Sequence, residues 1–289
     1  MHGHEIAGSL RAFAAERAPA GVVLALSTCL CAGPWALAGG DALALARSVG
    51  VVFLVLIVLR IADDVRSVEH DRIVSPERVL PAGKVGVRPL AAAAALLFAA
   101  AAALSVPRLT PGLALVSTYY AAYYAFAPRI PLPLRPPLIN AVFLAIPLGV
   151  GQLAGDAGAP GTLLLGAFFW LSAVGHDFAH EVHAPDEAHP GVTTCSQLLG
   201  PRVTAGIGSA CYAGALAAGL LAADRAHAPG SWPPLFLVSL IALCAWTTLL
   251  LAGLIAQPRR ARARRLYVSG VACFAVPSLL LGFDRLLGW

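Results

Sequence analysis

The chain has 289 residues, of which 58% are hydrophobic and 12% are charged, and its formal net charge is +5. Soluble domains carry about a quarter of their residues as charges, so this composition excludes an ordinary soluble protein. The net positive charge comes without a soluble basic surface bearing interleaved aromatic residues, which argues against nucleic acid as a partner. The 6 cysteines are scattered without a CxxC pair, which argues against a zinc knuckle or a disulfide framework.

The predicted elements begin with an amphipathic helical segment at 1–19, which lacks the layout of a cleaved signal peptide. Apolar runs of the length that a bilayer requires, about 20 residues, then follow one another to the end of the chain. There are nine, near 20–39, 46–62, 89–107, 110–127, 137–155, 160–177, 203–223, 234–256 and 267–284. The sequence therefore predicts an all-α polytopic membrane protein in which 1–289 form a single transmembrane domain.

Basic residues are distributed unevenly over the segments that connect the spans. With nine spans, all but four of the 20 lysines and arginines fall on the side of the N-terminus, and the exceptions are Arg47, Arg108, Arg225 and Arg285. The positive-inside rule assigns the basic side to the cytoplasm. We therefore expect an integral protein of the cell (inner) membrane whose N-terminus and even-numbered loops face the cytoplasm.

Acidic residues concentrate on the same side, in segments 63–88 and 177–202, which follow the second and sixth spans. Nine of the 15 carboxylates lie there, namely Asp63, Asp64, Glu69, Asp71 and Glu77 in the first cluster and Asp177, Glu181, Asp186 and Glu187 in the second. Acidic residues contribute little to topology, so their concentration points to a ligand. The alternative for either cluster alone is a solvated cytoplasmic loop.

The helical spacing of the acids favours a divalent cation. If the second span continues as a helix, Asp64 and Asp71 fall on one stripe with Asp63 beside it, and the four-residue spacing of Asp177 and Glu181 repeats this arrangement. Hard oxygen ligands suit Mg²⁺, which usually binds one or two carboxylates plus substrate phosphates. Basic side chains complement phosphate oxygens, and the candidates here are Arg66, Arg72, Arg78 and Lys84. The two segments are therefore predicted to form a Mg²⁺–diphosphate site.

Several motifs at these positions resemble the UbiA superfamily of intramembrane prenyltransferases, over most of the chain. The matching stretches are Asp63-Asp64-x-x-Ser67-x-x-x-Asp71, Arg78-Val79-Leu80-Pro81-Ala82-Gly83, Tyr123-Tyr124 through Arg129 and Asn140, and Gly191-Val192-Thr193-Thr194-Cys195. Three departures stand out. Ser67 replaces an aspartate of the first family motif while Asp63 replaces its asparagine, the second motif is irregular, and His180 and Glu181 stand where some relatives carry basic residues. The number of bound metal ions is therefore left open.

The resemblance implies a nine-helix bundle that binds a prenyl diphosphate through Mg²⁺ and transfers the prenyl group to a small aromatic or lipid acceptor. The implied metal ligands are Asp63, Asp64, Asp71, Asp177 and Glu181, of which Asp64, Asp71 and Asp177 are the expected catalytic residues. Arg129 joins the candidate diphosphate contacts. The candidates for the prenyl pocket are Tyr120, Tyr124, Asn140 and Phe169, since aromatic faces stabilise a carbocation.

Three alternatives stay open at this point. The allylic cation could be captured by an internal double bond, which would make the protein a terpene cyclase of the same superfamily. The histidines at 176, 180, 183 and 189 could instead belong to a membrane metalloenzyme that binds iron or zinc. A transporter is the third alternative, although its charges would be expected near mid-span and these acids lie at helix ends.

Overall fold

A computed structural model of the chain describes residues 3–105, 110–155, 160–188, 191–226 and 232–288. Every regular element in these ranges is a helix. The α-helices are α1 (Gly3–Arg17), α2 (Ala20–Ala38), α3 (Ala42–Arg66), α4 (Val68–Val74), α5 (Val87–Ser105), α6 (Thr110–Phe126), α7 (Arg135–Ile139), α8 (Val142–Ala154), α9 (Pro160–His180), α10 (Cys195–Leu199), α11 (Pro201–Ala226), α12 (Pro234–Ala256) and α13 (Arg260–Leu286). Short 3-10 turns lie at Ala127–Arg129, Leu132–Leu134 and Pro185–Glu187.

Within the described ranges, 8 helical segments are long and apolar enough to cross a membrane. They are Ala20–Ala38, Ala42–Arg66, Val87–Ser105, Leu132–Ala154, Gly161–His180, Pro201–Arg225, Pro234–Ala256 and Arg260–Leu286. The prediction of an all-α polytopic membrane protein is confirmed. The difference from nine spans concerns α6, whose 17 residues lie at the short end of the range for a membrane helix.

Large apolar side chains stand exposed on these helices. Leu96 is 63% exposed, Val238 69% and Leu249 68%. Water would solvate such surfaces poorly, whereas lipid tails are as apolar as a leucine side chain and solvate them well. The exposed faces of the spans are therefore suited to lipid.

The chain divides into two compact units, and the first comprises Met1–Thr28 and Ala46–Leu113. Its core buries Phe13 of α1 together with Ile61 of α3 and Leu90 of α5. The predicted amphipathic segment thus contributes a fully buried aromatic side chain to the packed interior. This packing holds the C-terminal end of α1 in the unit that carries the first acidic cluster.

The second unit comprises Cys29–Leu45 and Ala114–Trp289, and its central helix is α9, which packs against α8, α11 and α13. Small residues permit the closest of these contacts. A Cβ atom built on Gly175 would lie 3.1 Å from the carbonyl oxygen of Gly208, and one on Gly208 would lie 3.1 Å from that of Gly175. The two backbones therefore approach each other as small residues allow in membrane helix pairs, and α9 carries Asp177 near its last turn.

Two helix boundaries differ from the predictions. The helix through the first acidic cluster is interrupted at Ser67, whose hydroxyl donates a 2.9 Å hydrogen bond to the carbonyl of Asp63, a side-chain contact that competes with regular helix geometry. The arginine run at 259–265 lies between the predicted spans 234–256 and 267–284, but in the structure it opens α13 at Arg260. Arginine is a good helix former, so a run of arginines extends a helix without cost in propensity.

Candidate active site

Asp64 lies at the centre of the first acidic cluster, almost fully buried in the last turn of α3. Arg17 donates to both of its carboxylate oxygens, from Nε at 2.8 Å and from Nη2 at 2.9 Å. Arg60, one helical turn earlier, adds a contact of 3.0 Å. A carboxylate that is only 3% exposed requires such partners, because an unpaired buried charge is costly.

The other acids of this cluster are also paired with arginines. Asp71, in α4, is 7% exposed and accepts a 2.8 Å hydrogen bond from Nη1 of Arg78. Asp63 pairs with Arg66 at 3.1 Å, closer to solvent, and an exposed contact joins Glu69 to Arg72. The structure therefore pairs each of Asp63, Asp64 and Asp71 with an arginine, and three of the predicted diphosphate contacts, Arg66, Arg72 and Arg78, take part in such pairs.

The residues of this network fit a Mg²⁺–diphosphate pair by their chemistry. Asp64 and Asp71 offer hard oxygen atoms, and the arginines beside them match phosphate oxygens in geometry and charge. No group of three or more histidine, cysteine or acidic side chains in the described part of the chain is arranged to hold a metal. One or two carboxylates suffice when phosphate oxygens complete the coordination. Mg²⁺ binding stays a prediction.

Sequence reasoning missed Glu16 and Arg17, which lie 47 or more positions from the groups they contact. Glu16 accepts the backbone N–H of Val79 at 3.1 and 3.2 Å from its two oxygens, next to Arg78. Arg17 holds Asp64. Of the two contacts that Asp64 makes with arginines, the one from Arg60, at i and i+4, had a signal in the sequence.

Asp177 lies near the end of α9, in the second unit. The amide nitrogen of Asn140 donates to its Oδ2 at 2.7 Å and also to the carbonyl of Pro136 at 2.9 Å, which uses the two N–H groups that an amide carries. The structure thus brings together two of the predicted site residues, one from each side of a 37-residue separation.

A break between α7 and α8 places Asn140 where it can reach Asp177. Backbone carbonyls at such a break must be satisfied in an apolar environment, and that of Leu138 accepts the backbone N–H of Ala141 at 3.2 Å. Trp170 donates to Pro137 at 2.8 Å, Tyr119 donates to Leu138 at 2.9 Å, and Tyr120 donates to Ile139.

Tyr120 also accepts the backbone N–H of Val142 at 3.0 Å, so its hydroxyl spans the break. Among the other residues predicted for the prenyl pocket, Phe169 is fully buried against Phe168 and Phe274, and Tyr124 is partly buried beside Tyr120. The hydroxyl of Tyr120 therefore supports the backbone, and a role for these side chains in binding a prenyl chain stays a prediction.

The remaining acids of the second cluster fasten the segment that follows α9. Glu181, predicted as a metal ligand, accepts the backbone N–H of Cys195 at 2.8 Å. Asp186 pairs with Arg259 at 2.6 Å, and this hydrogen bond lowers the pKa of the Asp186 carboxyl. The backbone N–H groups of Arg260 and Ala184 lower the pKa of Glu187 in the same way.

The histidines of this segment have separate surroundings. The ring of His183 contacts the Ala184 carbonyl and the Thr194 hydroxyl, each at 2.9 Å, while the rings of His176 and His180 stack with centroids 6.1 Å apart. His189 lies outside the described residues. Burial raises the pKa of the Cys195 thiol to about 12, so this cysteine stays protonated.

Two predicted diphosphate contacts stand apart from these hydrogen-bonded networks. Lys84 is exposed in the segment between α4 and α5, which belongs to the first unit. Arg129 belongs to the second unit, where it is exposed and lies 5.9 Å from the ring of Phe126. Their contribution to phosphate binding stays a prediction.

A sequence model of the UbiA prenyltransferase family matches residues 23–276. The chain belongs to this family. Digeranylgeranylglyceryl phosphate synthase of Methanoculleus marisnigri is 31% identical over 189 residues, which cover 63% of this chain and 64% of that protein. The alignment thus spans slightly less than two thirds of the relative.

Two solved structures share the fold. One, reported for digeranylgeranylglyceryl phosphate synthase in membranes, has a TM-score of 0.68 at 18% identity and covers 96% of this chain and 98% of its own. The apo structure of a UbiA homologue from Aeropyrum pernix K1 also has a TM-score of 0.68, at 20% identity, with 91% and 97% covered. The helical architecture of this UbiA-family chain is therefore that of known members.

Proposed function

We propose that this UbiA-family protein is a Mg²⁺-dependent prenyltransferase that ionises an allylic prenyl diphosphate and transfers the prenyl group to a lipid acceptor. The observation that carries the proposal is that two buried aspartates, Asp64 and Asp71, are each paired with arginines. A lipid acceptor is favoured over an aromatic one because the similar proteins are named for the synthesis of digeranylgeranylglyceryl phosphate, which is a lipid phosphate.

In the proposed reaction, the bond between the allylic carbon and the diphosphate oxygen breaks, and its electron pair leaves with the diphosphate. Bound Mg²⁺ would supply charge neutralisation for that leaving group. Asp64 and Asp71 would hold the ion, while Arg66, Arg72 and Arg78 donate hydrogen bonds to phosphate oxygens. A nucleophilic atom of the acceptor then bonds to the allylic cation and loses its proton.

Asp177 is the carboxylate of the second unit that is best placed to bind a cation. Asn140 donates to Oδ2 of Asp177 at 2.7 Å. This hydrogen bond fixes one carboxylate oxygen and restricts rotation of the carboxylate. We propose that Asp177 contributes a cation ligand and that Asn140 acts as its positioning residue. Glu181 is the weaker candidate, since it already accepts the N–H of Cys195.

The decisive test compares Asp64→Asn and Asp71→Asn with the wild-type protein in lipid nanodiscs, supplied with Mg²⁺, a radiolabelled prenyl diphosphate and a glyceryl lipid acceptor. We expect each variant to lose turnover by a factor of about 10²–10³, the usual effect of removing one group that stabilises developing charge. Glu69→Gln is the matched control, because Glu69 lies on α4 with Asp71 and its side chain is 77% exposed. Full activity of both aspartate variants would reject the site.

The products distinguish a transferase from a cyclase. Wild-type protein incubated with Mg²⁺ and prenyl diphosphates of several lengths, without acceptor, should release little prenyl product. Addition of the lipid acceptor should give a prenylated lipid that is detected by mass spectrometry. Cyclic hydrocarbons or alcohols formed without acceptor would contradict prenyl transfer to a second molecule.

A further inference from the structure

Arg17 donates hydrogen bonds to Asp64, the carboxylate that is expected to hold the metal ion. Its Nε and Nη2 atoms lie 2.8 and 2.9 Å from the two oxygens of Asp64, so the pair is bidentate. The side chain of Arg17 is 17% exposed and that of Asp64 is 4% exposed. A cation cannot coordinate Asp64 in this arrangement without displacing at least one of these hydrogen bonds.

The charges around Asp64 also oppose a metal ion that arrives alone. Arg60 contacts the same carboxylate at 3.0 Å, so one negative group is surrounded by two guanidinium groups. A free Mg²⁺ ion would meet net positive charge, whereas Mg²⁺ accompanied by diphosphate would not. The incoming diphosphate additionally offers oxygens that match the planar fork of an arginine as well as a carboxylate does.

The backbone around Arg17 is anchored independently of Asp64. Glu16 accepts the N–H of Val79 with both carboxylate oxygens, and Phe13 is fully buried in the core of the first unit. The end of α1 therefore has its own attachments, and the long side chain of Arg17 can change partner without moving its helix.

We propose that Arg17 exchanges partners during the reaction cycle, holding Asp64 in the ligand-free protein and transferring to the diphosphate when Mg²⁺ and substrate bind. This inference rests on the proposed function and adds a residue to its diphosphate site. The exchange keeps every buried charge paired, because the cation replaces Arg17 on Asp64 while the diphosphate receives Arg17. Arg60 stays beside Asp64, where its Nε is a buried donor with no acceptor among the described residues.

The exchange predicts opposite effects of Arg17→Gln on two affinities. Removal of the guanidinium frees the oxygens of Asp64, so the affinity for Mn²⁺, a paramagnetic substitute for Mg²⁺, should rise at least about threefold when no diphosphate is present. The affinity for inorganic diphosphate with saturating Mg²⁺ should fall about tenfold, the value of one charge-assisted contact. Electron paramagnetic resonance measures the first affinity and isothermal titration calorimetry the second.

Controls separate exchange from a structural role. Arg11→Gln, an exposed position on the same helix, should leave both affinities unchanged. If Arg17→Gln fails to fold, Arg17→Lys retains the charge without the bidentate fork, and it should shift both affinities in the same two directions by smaller factors. Parallel losses of both affinities, or no change in either, would overturn the exchange.

Failure of the Arg17 exchange can be told apart from failure of the proposed function. Wild-type protein that binds no diphosphate, or that turns over no prenyl diphosphate, would count against the proposed function itself. Normal binding and turnover by wild-type protein, with unchanged affinities in Arg17→Gln, would count against the role of Arg17 alone.

Discussion

The acidic residues of the two clusters differ in what their oxygens contact. Asp64 and Asp71 are buried and held by arginine side chains, whereas Glu181 accepts a backbone N–H group. A carboxylate held by arginines can exchange those partners for a cation and phosphates, because each arginine can follow the phosphate. A carboxylate that fastens a backbone segment cannot be withdrawn without loosening that segment.

Asn140 is the residue whose substitution tests the second cluster. Asn140→Ala removes the hydrogen bond to Asp177, and a bond to a charged group is worth about 1.5–3 kcal/mol. If Asp177 works as proposed, kcat/KM for prenyl transfer should fall about tenfold or more, mainly through kcat. Steady-state kinetics at several Mg²⁺ concentrations would measure this loss.

A matched control is available on the helix that follows Asn140. Gln152→Ala changes an exposed amide on α8 and should leave kcat/KM unaltered. Equal losses in Asn140→Ala and Gln152→Ala, or a loss in neither, would argue against positioning of Asp177 by Asn140.

At the level of elements, interruptions and close approaches of helices position the site residues. The one-residue interruption at Ser67 separates α3 from α4, and the break between α7 and α8 turns Asn140 toward α9. Both interruptions are compensated, the first by the hydroxyl of Ser67 and the second by Trp170 and two tyrosines. Irregular backbone persists within an apolar bundle only where side chains satisfy it.

The contact between α9 and α11 gives a stability prediction. Gly175→Ala should destabilise the protein by up to about 2 kcal/mol, because overpacking costs about 1–3 kcal/mol while the gain in helix propensity returns about 1 kcal/mol. The new Cβ would lie 3.1 Å from the carbonyl oxygen of Gly208, an atom that the backbone holds in place. Thermal unfolding in detergent would measure the change.

Gly206→Ala is the control for that comparison, since Gly206 lies on α11, the helix that α9 contacts at Gly175. A Cβ at this position would meet nothing within 4 Å, so only the favourable change in helix propensity, about 1 kcal/mol, should remain. A higher unfolding temperature for Gly206→Ala and a lower one for Gly175→Ala would support close backbone packing. Equal stabilisation by Gly175→Ala and Gly206→Ala would contradict it.

At the scale of the whole molecule, the distribution of charge and the number of spans predict the same topology. Nine crossings place the N-terminus and C-terminus on opposite sides of the membrane, whereas eight would place them on the same side. The two topologies differ in whether α6, which has 17 residues, crosses the membrane. We propose nine crossings with the basic side in the cytoplasm, because that arrangement gives the strongest positive-inside asymmetry.

Cysteine labelling in sealed vesicles tests this topology. Lys84→Cys and Leu287→Cys introduce reporters at exposed positions, and a membrane-impermeant maleimide should label the first only from the cytoplasmic side and the second only from the opposite side. Wild-type protein, whose cysteines are buried or partly buried, provides the background. Labelling of both reporters from one side would favour eight crossings.

The sequence by itself determined the helical membrane class, most span positions and the placement of acids at two helix ends. These features depend on composition and on local periodicity, which can be read along the chain. Only the tertiary structure decided that Arg17 holds Asp64, that Asn140 contacts Asp177 and that Glu181 fastens the segment before α10. The first two pairs are 47 and 37 residues apart, and helical periodicity carries no information about which distant side chains meet.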